Sequence, residues 1–238
     1  MQQLLQQLPC ILMKNIMRFI FIIYFPIYLY CFCWLEARDD VSFTNIHCIV
    51  DDWIPFMEIF IIPYLLWFLY VVVVLLYLFL QKQHLEDYYH CVIVLILGMS
   101  TCLLVYYLFP NAQNMRPTEF AHSNIFIDII SFIYRSDTDT NVLPSIHVFN
   151  AVAIHGAFST SYYFRKRRGW KVASLILCIL ICLSTMFLKQ HSFLDVISAV
   201  VLYVLYYELI YHLLPRLWQR HKEKRQGCVS KKLQKNIP

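Results

Sequence analysis

The chain has 238 residues, of which 60% are apolar and 15% charged, with a formal net charge of +5 and a mean hydropathy of +0.56. Ordinary soluble domains carry about 25% charged residues, and a water-soluble domain of this size cannot bury so much apolar surface. The 4 glycines are too few for Gly-rich phosphate loops or dinucleotide-binding turns, and the composition excludes disorder except at the ends.

A bilayer-spanning helix needs roughly 20 apolar residues. Six segments approach that length: 19–35, 56–80, 91–109, 145–164, 171–188 and 193–214, with the unbroken apolar run 71–80 the plainest. The first has a long polar start and no small-x-small cleavage site, so it reads as a retained anchor rather than a signal peptide. Most connections are short and polar. The exception, from Pro110 to Pro144, is long enough to suggest a functional loop. Within it, Asn124, Asp128, Ser131 and Arg135 fall at helical spacing on an otherwise apolar stretch. That pattern predicts a short helix lying at the membrane interface. The expected fold is therefore all-α and integral to the membrane, with six transmembrane helices and an interfacial helix between the third and fourth spans. Two N-terminal spans (1–90), a four-span core (91–214) and a basic tail (215–238) make up the expected organisation.

Lys and Arg placement sets orientation. With six spans, 16 of the 20 Lys and Arg fall on the side of the two termini, and Arg38, Arg116, Arg135 and Lys189 on the other. The termini are thus expected to be cytoplasmic. The basic charge then describes a cytoplasmic face whose run Arg165–Arg168 suits anionic lipid headgroups, not nucleic acid. Of the 9 cysteines, Cys91, Cys102, Cys178 and Cys182 lie in apolar runs, where a thiol acts as a small hydrophobe. Cys31, Cys33 and Cys48 are the ones placed to meet in an oxidising space.

Ionisable groups at membrane depth are costly and mark function. Three clusters emerge on the outer side: residues 113–117 with Arg116-Pro117, residues 144–147 ending in His147, and residues 189–195 with Lys189, His191 and Asp195. His191 and Asp195 are four apart and share a helix face. A carboxylate beside an imidazole fixes its tautomer and frees the other nitrogen. Arg116 offers a donor fork matched to phosphate oxygens, and Lys189 a point charge. Pro144 favours a helix start at Ser145, whose backbone N–H groups and positive dipole end suit an anion. Together these groups describe phosphoryl transfer through a histidine nucleophile. His84, His90, His122, His155 and His212 read as structural. A metal site would need more ligands than His147, His191 and Asp195 supply, so no metal and no other cofactor is expected.

In order and spacing the three clusters resemble the type-2 phosphatidic acid phosphatase superfamily, which also contains vanadium haloperoxidases. Its motifs are K-x6-R-P, P-S-G-H and S-R-x5-H-x3-D. Arg116-Pro117 matches the end of the first, Pro144-Ser145-Ile146-His147 the second, and Ser184, His191 and Asp195 the third with its spacing. The resemblance covers residues 91–213. Phe109 stands at the first-motif Lys, Ile146 at the second-motif Gly and Thr185 at the third-motif Arg, a pattern nearer the branch of inositol phosphorylceramide synthases. The resemblance implies metal-independent catalysis with His191 as nucleophile, Asp195 as its orienter and His147 as acid for the leaving group. Arg116, Ser145, Ile146 and Lys189 are the candidates to bind the phosphate. The leading expectation is a lipid phosphatase with its active site on the extracytoplasmic or lumenal side. Phosphoalcohol transfer between lipids and a non-catalytic membrane scaffold or transporter subunit are the alternatives.

Overall fold

A computed structural model describes residues 19–219. Eight α-helices follow in order: α1 (Ile20–Glu36), α2 (Ile49–Trp53), α3 (Ile61–Leu80), α4 (Leu85–Leu108), α5 (Ile125–Ser136), α6 (Ile146–Thr160), α7 (Arg168–Phe187) and α8 (Phe193–Tyr207). A 3₁₀ turn, Glu58–Phe60, leads into α3, and α8 continues through a π-helical stretch, Glu208–Leu213. The polar N-terminus before residue 19 and the tail from residue 220 lie outside the described residues.

Among the described residues, four helices are long and apolar enough to cross a membrane: Glu58–Leu80, Leu85–Leu108, Arg168–Phe187 and Phe193–Gln219. The other two expected spans are shorter. Helix α1 has 17 residues and α6 has 15. The short α6 has a physical reason. It is the central helix, packed against α3, α4, α7 and α8, with Val148, Phe149, Ala151 and Ile154 wholly buried. A helix sheathed by protein does not need a full lipid-facing length. Its approach to α4 is close because Gly98 lies under Phe149, where a Cβ would stand 1.8 Å from the ring. The outer helices turn large apolar side chains outward instead, among them Val73, Leu76, Ile176, Leu180, Val204 and Leu205. A soluble protein would not present that surface.

The helix predicted near Asn124 is α5. Asn124 caps it by accepting from the Ile127 N–H at 2.9 Å, and Ile127 and Ile130 pack into a small cluster with Ile61, Tyr64 and Leu188. The same end of the bundle holds structure that the apolar pattern did not signal. Strand β1 (Thr44–Asn45) pairs in parallel with β2 (Asn111–Ala112), and Ala112 bridges to Thr140. Buried Asn111 laces this cap, accepting from the Val142 and Leu143 N–H groups at 2.8 and 2.7 Å. Two long loops are thereby held over the ends of α4 and α6. The cysteines Cys31, Cys33 and Cys48 are free thiols.

Candidate active site

The third cluster is built by two adjoining helix ends. Helix α7 stops at Phe187, and Lys189 adopts a left-handed backbone (φ 51°), which is uncommon for a residue with a side chain. The Gln190 and His191 N–H groups then donate to the Thr185 carbonyl at 2.9 and 3.1 Å. This turn reverses the chain within a few residues and carries His191 to the start of α8. There Ser192 is the N-cap, and the Asp195 carboxylate accepts from the Ser192 N–H at 2.8 Å. The i,i+3 cap therefore also aims Asp195 at His191. Asp195 is fully buried, and its Oδ2 lies 3.3 Å from His191 Nδ1.

His147 enters from the first turn of α6, which Ser145 caps through the Val148 N–H at 3.3 Å. Its Nδ1 is 3.3 Å from His191 Nε2, and its Nε2 is 3.2 Å from the Tyr64 hydroxyl. For a neutral His191 one set of tautomers satisfies the whole row. An ionised Asp195 can only accept, so His191 Nδ1 carries the hydrogen and Nε2 the lone pair. His147 Nδ1–H then donates to that lone pair, and His147 Nε2 accepts from Tyr64. The residue expected as nucleophile thus has its free lone pair at Nε2, facing the N–H of the residue expected as acid.

These groups stand at the polar end of a cavity of about 770 Å³. Below them its walls are apolar, formed by one face of α1 (Phe21, Phe25, Leu29) and one of α3 (Phe68, Val71, Leu75). Arg116, Asp137, Asn141, Asn150 and Gln190 join the histidines around the polar end. Arg116 is the one Lys or Arg that lines it among the described residues. Its guanidinium donates to the carbonyls of Tyr134, Asp137 and Thr138 at 3.3, 2.6 and 2.7 Å and to the Gln190 side chain. The Arg116 Nε–H is buried and unpartnered. Burial pushes the Asp137 carboxyl up from its ordinary value, against the pull of Arg116 and His191.

Two expected phosphate-binding residues are not brought to the cavity. Lys189 is turned away by its left-handed backbone, and its ammonium donates to the Asp51 and Ile54 carbonyls at 2.9 and 2.6 Å. The Ser145 N–H is taken by the Asp195 carbonyl at 3.2 Å, and its hydroxyl oxygen serves the α6 cap. Ile146 does line the cavity. At the other departures from the motifs, Phe109 is exposed. Thr185 is buried with its hydroxyl on the Cys182 carbonyl at 2.8 Å. Among the described residues, no three His, Cys, Asp or Glu side chains form a metal-holding group.

Sequence reasoning passed over Asp51, which lies far from the motifs. It is buried and accepts from the Ser192 hydroxyl, the Phe193 N–H and the Cys48 N–H at 2.6, 2.7 and 2.8 Å. Burial alone would raise its carboxyl pKa, but the bonds from Ser192, Phe193 and Cys48 outweigh it, and the net shift is downward. The sign follows. Stabilisation from Asp51 is present above the ordinary carboxylate range and is lost as pH falls through the depressed folded-state value. Hydrogen bonds to a charged group are worth about 1.5–3 kcal/mol each. Asp51→Ala should therefore lower the melting temperature at pH 7, with a smaller difference from wild type at acid pH. A pH-independent difference in melting temperature would contradict that role.

Comparison with known proteins adds one observation. Residues 113–219 match the PAP2 superfamily. The matched PAP2 segment holds all three motif clusters and both histidines. The superfamily resemblance read from the motifs is therefore borne out, and with it the coarse description of a phosphatase- or phosphotransferase-like membrane protein. No curated protein and no solved structure matches the chain.

Proposed function

We propose that the chain is a membrane-embedded enzyme that cleaves a phosphate ester of a lipid through a phosphohistidine. One observation carries this reading: the row Asp195–His191–His147 stands at the polar end of an otherwise apolar cavity. In the first step His147 carries a proton on each ring nitrogen once the anionic phosphate is bound, its Nε2–H donating to the Tyr64 hydroxyl oxygen. His191 Nε2 bonds to phosphorus as the ester P–O bond breaks, and His147 Nδ1–H protonates the departing oxygen, which leaves His147 neutral. In the second, His147 Nδ1 takes a proton from water, whose oxygen displaces His191 and releases phosphate. Asp195 holds the tautomer and stabilises the imidazolium. Arg116 Nε–H and the first-turn N–H groups of α6 at Ile146 are the donors for the phosphoryl oxygens. No metal enters either step. The contact between the histidines is of hydrogen-bond length, so a phosphoryl group enters as the rings part.

Six crossings, by α1, α3, α4, α6, α7 and α8, with α5 lying at the interface, agree with the cation distribution. In this reading the site lies on the extracytoplasmic or lumenal side and the basic run Arg165–Arg168 meets anionic headgroups; the excess of Lys and Arg on the opposite side supports it.

A second reading is favoured by a specific feature. With Arg116 the one Lys or Arg lining the cavity among the described residues, the site matches the one negative charge of a phosphodiester better than the dianion of a monoester. A lipid hydroxyl in place of water would then make the enzyme a phosphoalcohol transferase. Purified protein incubated with lipid phosphomonoesters and phosphodiesters, with and without chelator, separates these readings. Inorganic phosphate insensitive to chelator is the expected product. A new lipid without free phosphate would establish the transferase. No product from any substrate would overturn both.

A further inference from the structure

Two unpartnered polar atoms belong to residues that follow the Tyr64–His147 pair by about one helical turn. Trp67 follows Tyr64 by three residues on α3, and Asn150 follows His147 by three on α6, a step of about 4.5 Å along each axis. The Tyr64–His147 contact at 3.2 Å sets the two helices in register, so Trp67 and Asn150 share a layer. Both residues line the cavity. The Trp67 ring also lies against His147, with centroids 4.5 Å apart. Yet Trp67 Nε1 and Asn150 Oδ1 are buried without a hydrogen-bond partner, and Asn150 as a whole is only 5% exposed. The other unpartnered atoms lining the cavity, Arg116 Nε and Asn141 Oδ1, belong to the loop at the phosphate level.

Buried donors and acceptors are nearly always paired, and leaving one unpaired is costly. Indole N–H is only a donor and the amide oxygen only an acceptor. A ligand group must therefore both accept and donate to satisfy the two together. A hydroxyl or a secondary amide does this. A carboxylic ester accepts only, and a hydrocarbon chain does neither.

We infer that Trp67 and Asn150 form a substrate subsite that selects lipid phosphates bearing a hydroxyl or amide just below the phosphate. The inference rests on the lipid-phosphate reading above. It names the class of lipid that this cavity takes. An isoprenoid phosphate placed there leaves both atoms unpaired, and a site built around a hydrogen bond rejects an analogue lacking it far more strongly than an apolar pocket rejects a lost methylene.

The test uses two substrates that differ by one atom: a 1-acylglycerol 3-phosphate and its 2-deoxy counterpart, the acyl-propanediol phosphate of the same chain length. The full chain in detergent micelles should show a kcat/KM for phosphate release at least about 10-fold higher on the hydroxyl substrate. Trp67→Phe removes the donor and Asn150→Leu the acceptor. In each the ratio should narrow toward one through loss on the hydroxyl substrate, and the internal ratio makes the comparison independent of the amount of folded protein. A wild-type ratio of one overturns the subsite and leaves the lipid-phosphate reading standing. So does a ratio unchanged in both variants. Phosphate release from neither substrate overturns that reading, and the subsite falls with it.

Discussion

Asp195→Asn should lower kcat by about 10⁴-fold, the magnitude seen when an amide replaces the carboxylate beside a catalytic histidine. The reason lies in the row of contacts. Asp195 Oδ2 accepts both from His191 Nδ1 and from the Ser192 N–H. An asparagine that keeps its oxygen at this position still accepts from Ser192 and from His191, but it brings no charge to stabilise the imidazolium that forms at His191. One that turns its NH₂ to this position gives up the cap bond and favours the His191 tautomer with hydrogen on Nε2, which has no lone pair facing phosphorus. In either rotamer the loss is expected in kcat. A variant within about 10-fold of wild type would mean that the carboxylate neither stabilises the imidazolium nor sets the tautomer.

Arg116→Lys should cost about 2–4 kcal/mol of transition-state stabilisation, the range for removing charge-assisted donors, with net charge unchanged. Arg116 works as a planar fork. Both terminal nitrogens are committed to the carbonyls of Tyr134, Asp137 and Thr138 and to Gln190, and the plane lies 4.7 Å over the Tyr134 ring. That commitment leaves Nε–H for the ligand. A lysine ammonium has three donors and no such geometry. It cannot hold the loop and serve the phosphate at once. Lys189→Met is the control, because its ammonium binds the Asp51 and Ile54 carbonyls outside the cavity. It should lower thermal stability more than it raises KM. Equal loss of phosphate affinity in the two variants, read from KM and from inhibition by inorganic phosphate, would return Lys189 to the site.

Helix identity and the candidate catalytic trio were legible because their signals are local. His191 and Asp195 are four residues apart, and Ser192 and Asp195 have the spacing of a helix cap. The apolar runs marked every long helix to within a few residues, except that α4 begins at Leu85, where Glu86 and Asp87 occupy its first turn. Asp51, Tyr64 and Trp67 were not legible. They reach the site only when α2 and α3 fold against the end of α7, and no pattern within the chain ties them to His147 or Ser192. Lys189 was misplaced for a different reason. Its charge is visible in sequence, but its direction is set by one left-handed residue at the end of α7. Gln190 was overlooked as an uncharged neighbour of His191, although it is buried and bonded to Arg116. The length of α6 follows its surroundings: it is packed against α3, α4, α7 and α8, with Val148, Phe149, Ala151 and Ile154 wholly buried.

The central claim is that His191 carries the phosphoryl group and His147 moves the protons, and trapping the intermediate tests it most directly. A phenolic leaving group such as p-nitrophenolate needs little protonation, so His147→Ala should still complete the first step on a ³²P-labelled p-nitrophenyl phosphate. The second step then lacks its base. General acid–base help is worth about 10²–10⁴-fold, so the label should accumulate on the protein as an acid-labile, base-stable phosphohistidine. His191→Ala should show no label with any substrate. Label that persists in His191→Ala and vanishes in His147→Ala would contradict the assignment. So would wild-type turnover without label in any variant, which would mean direct attack by water.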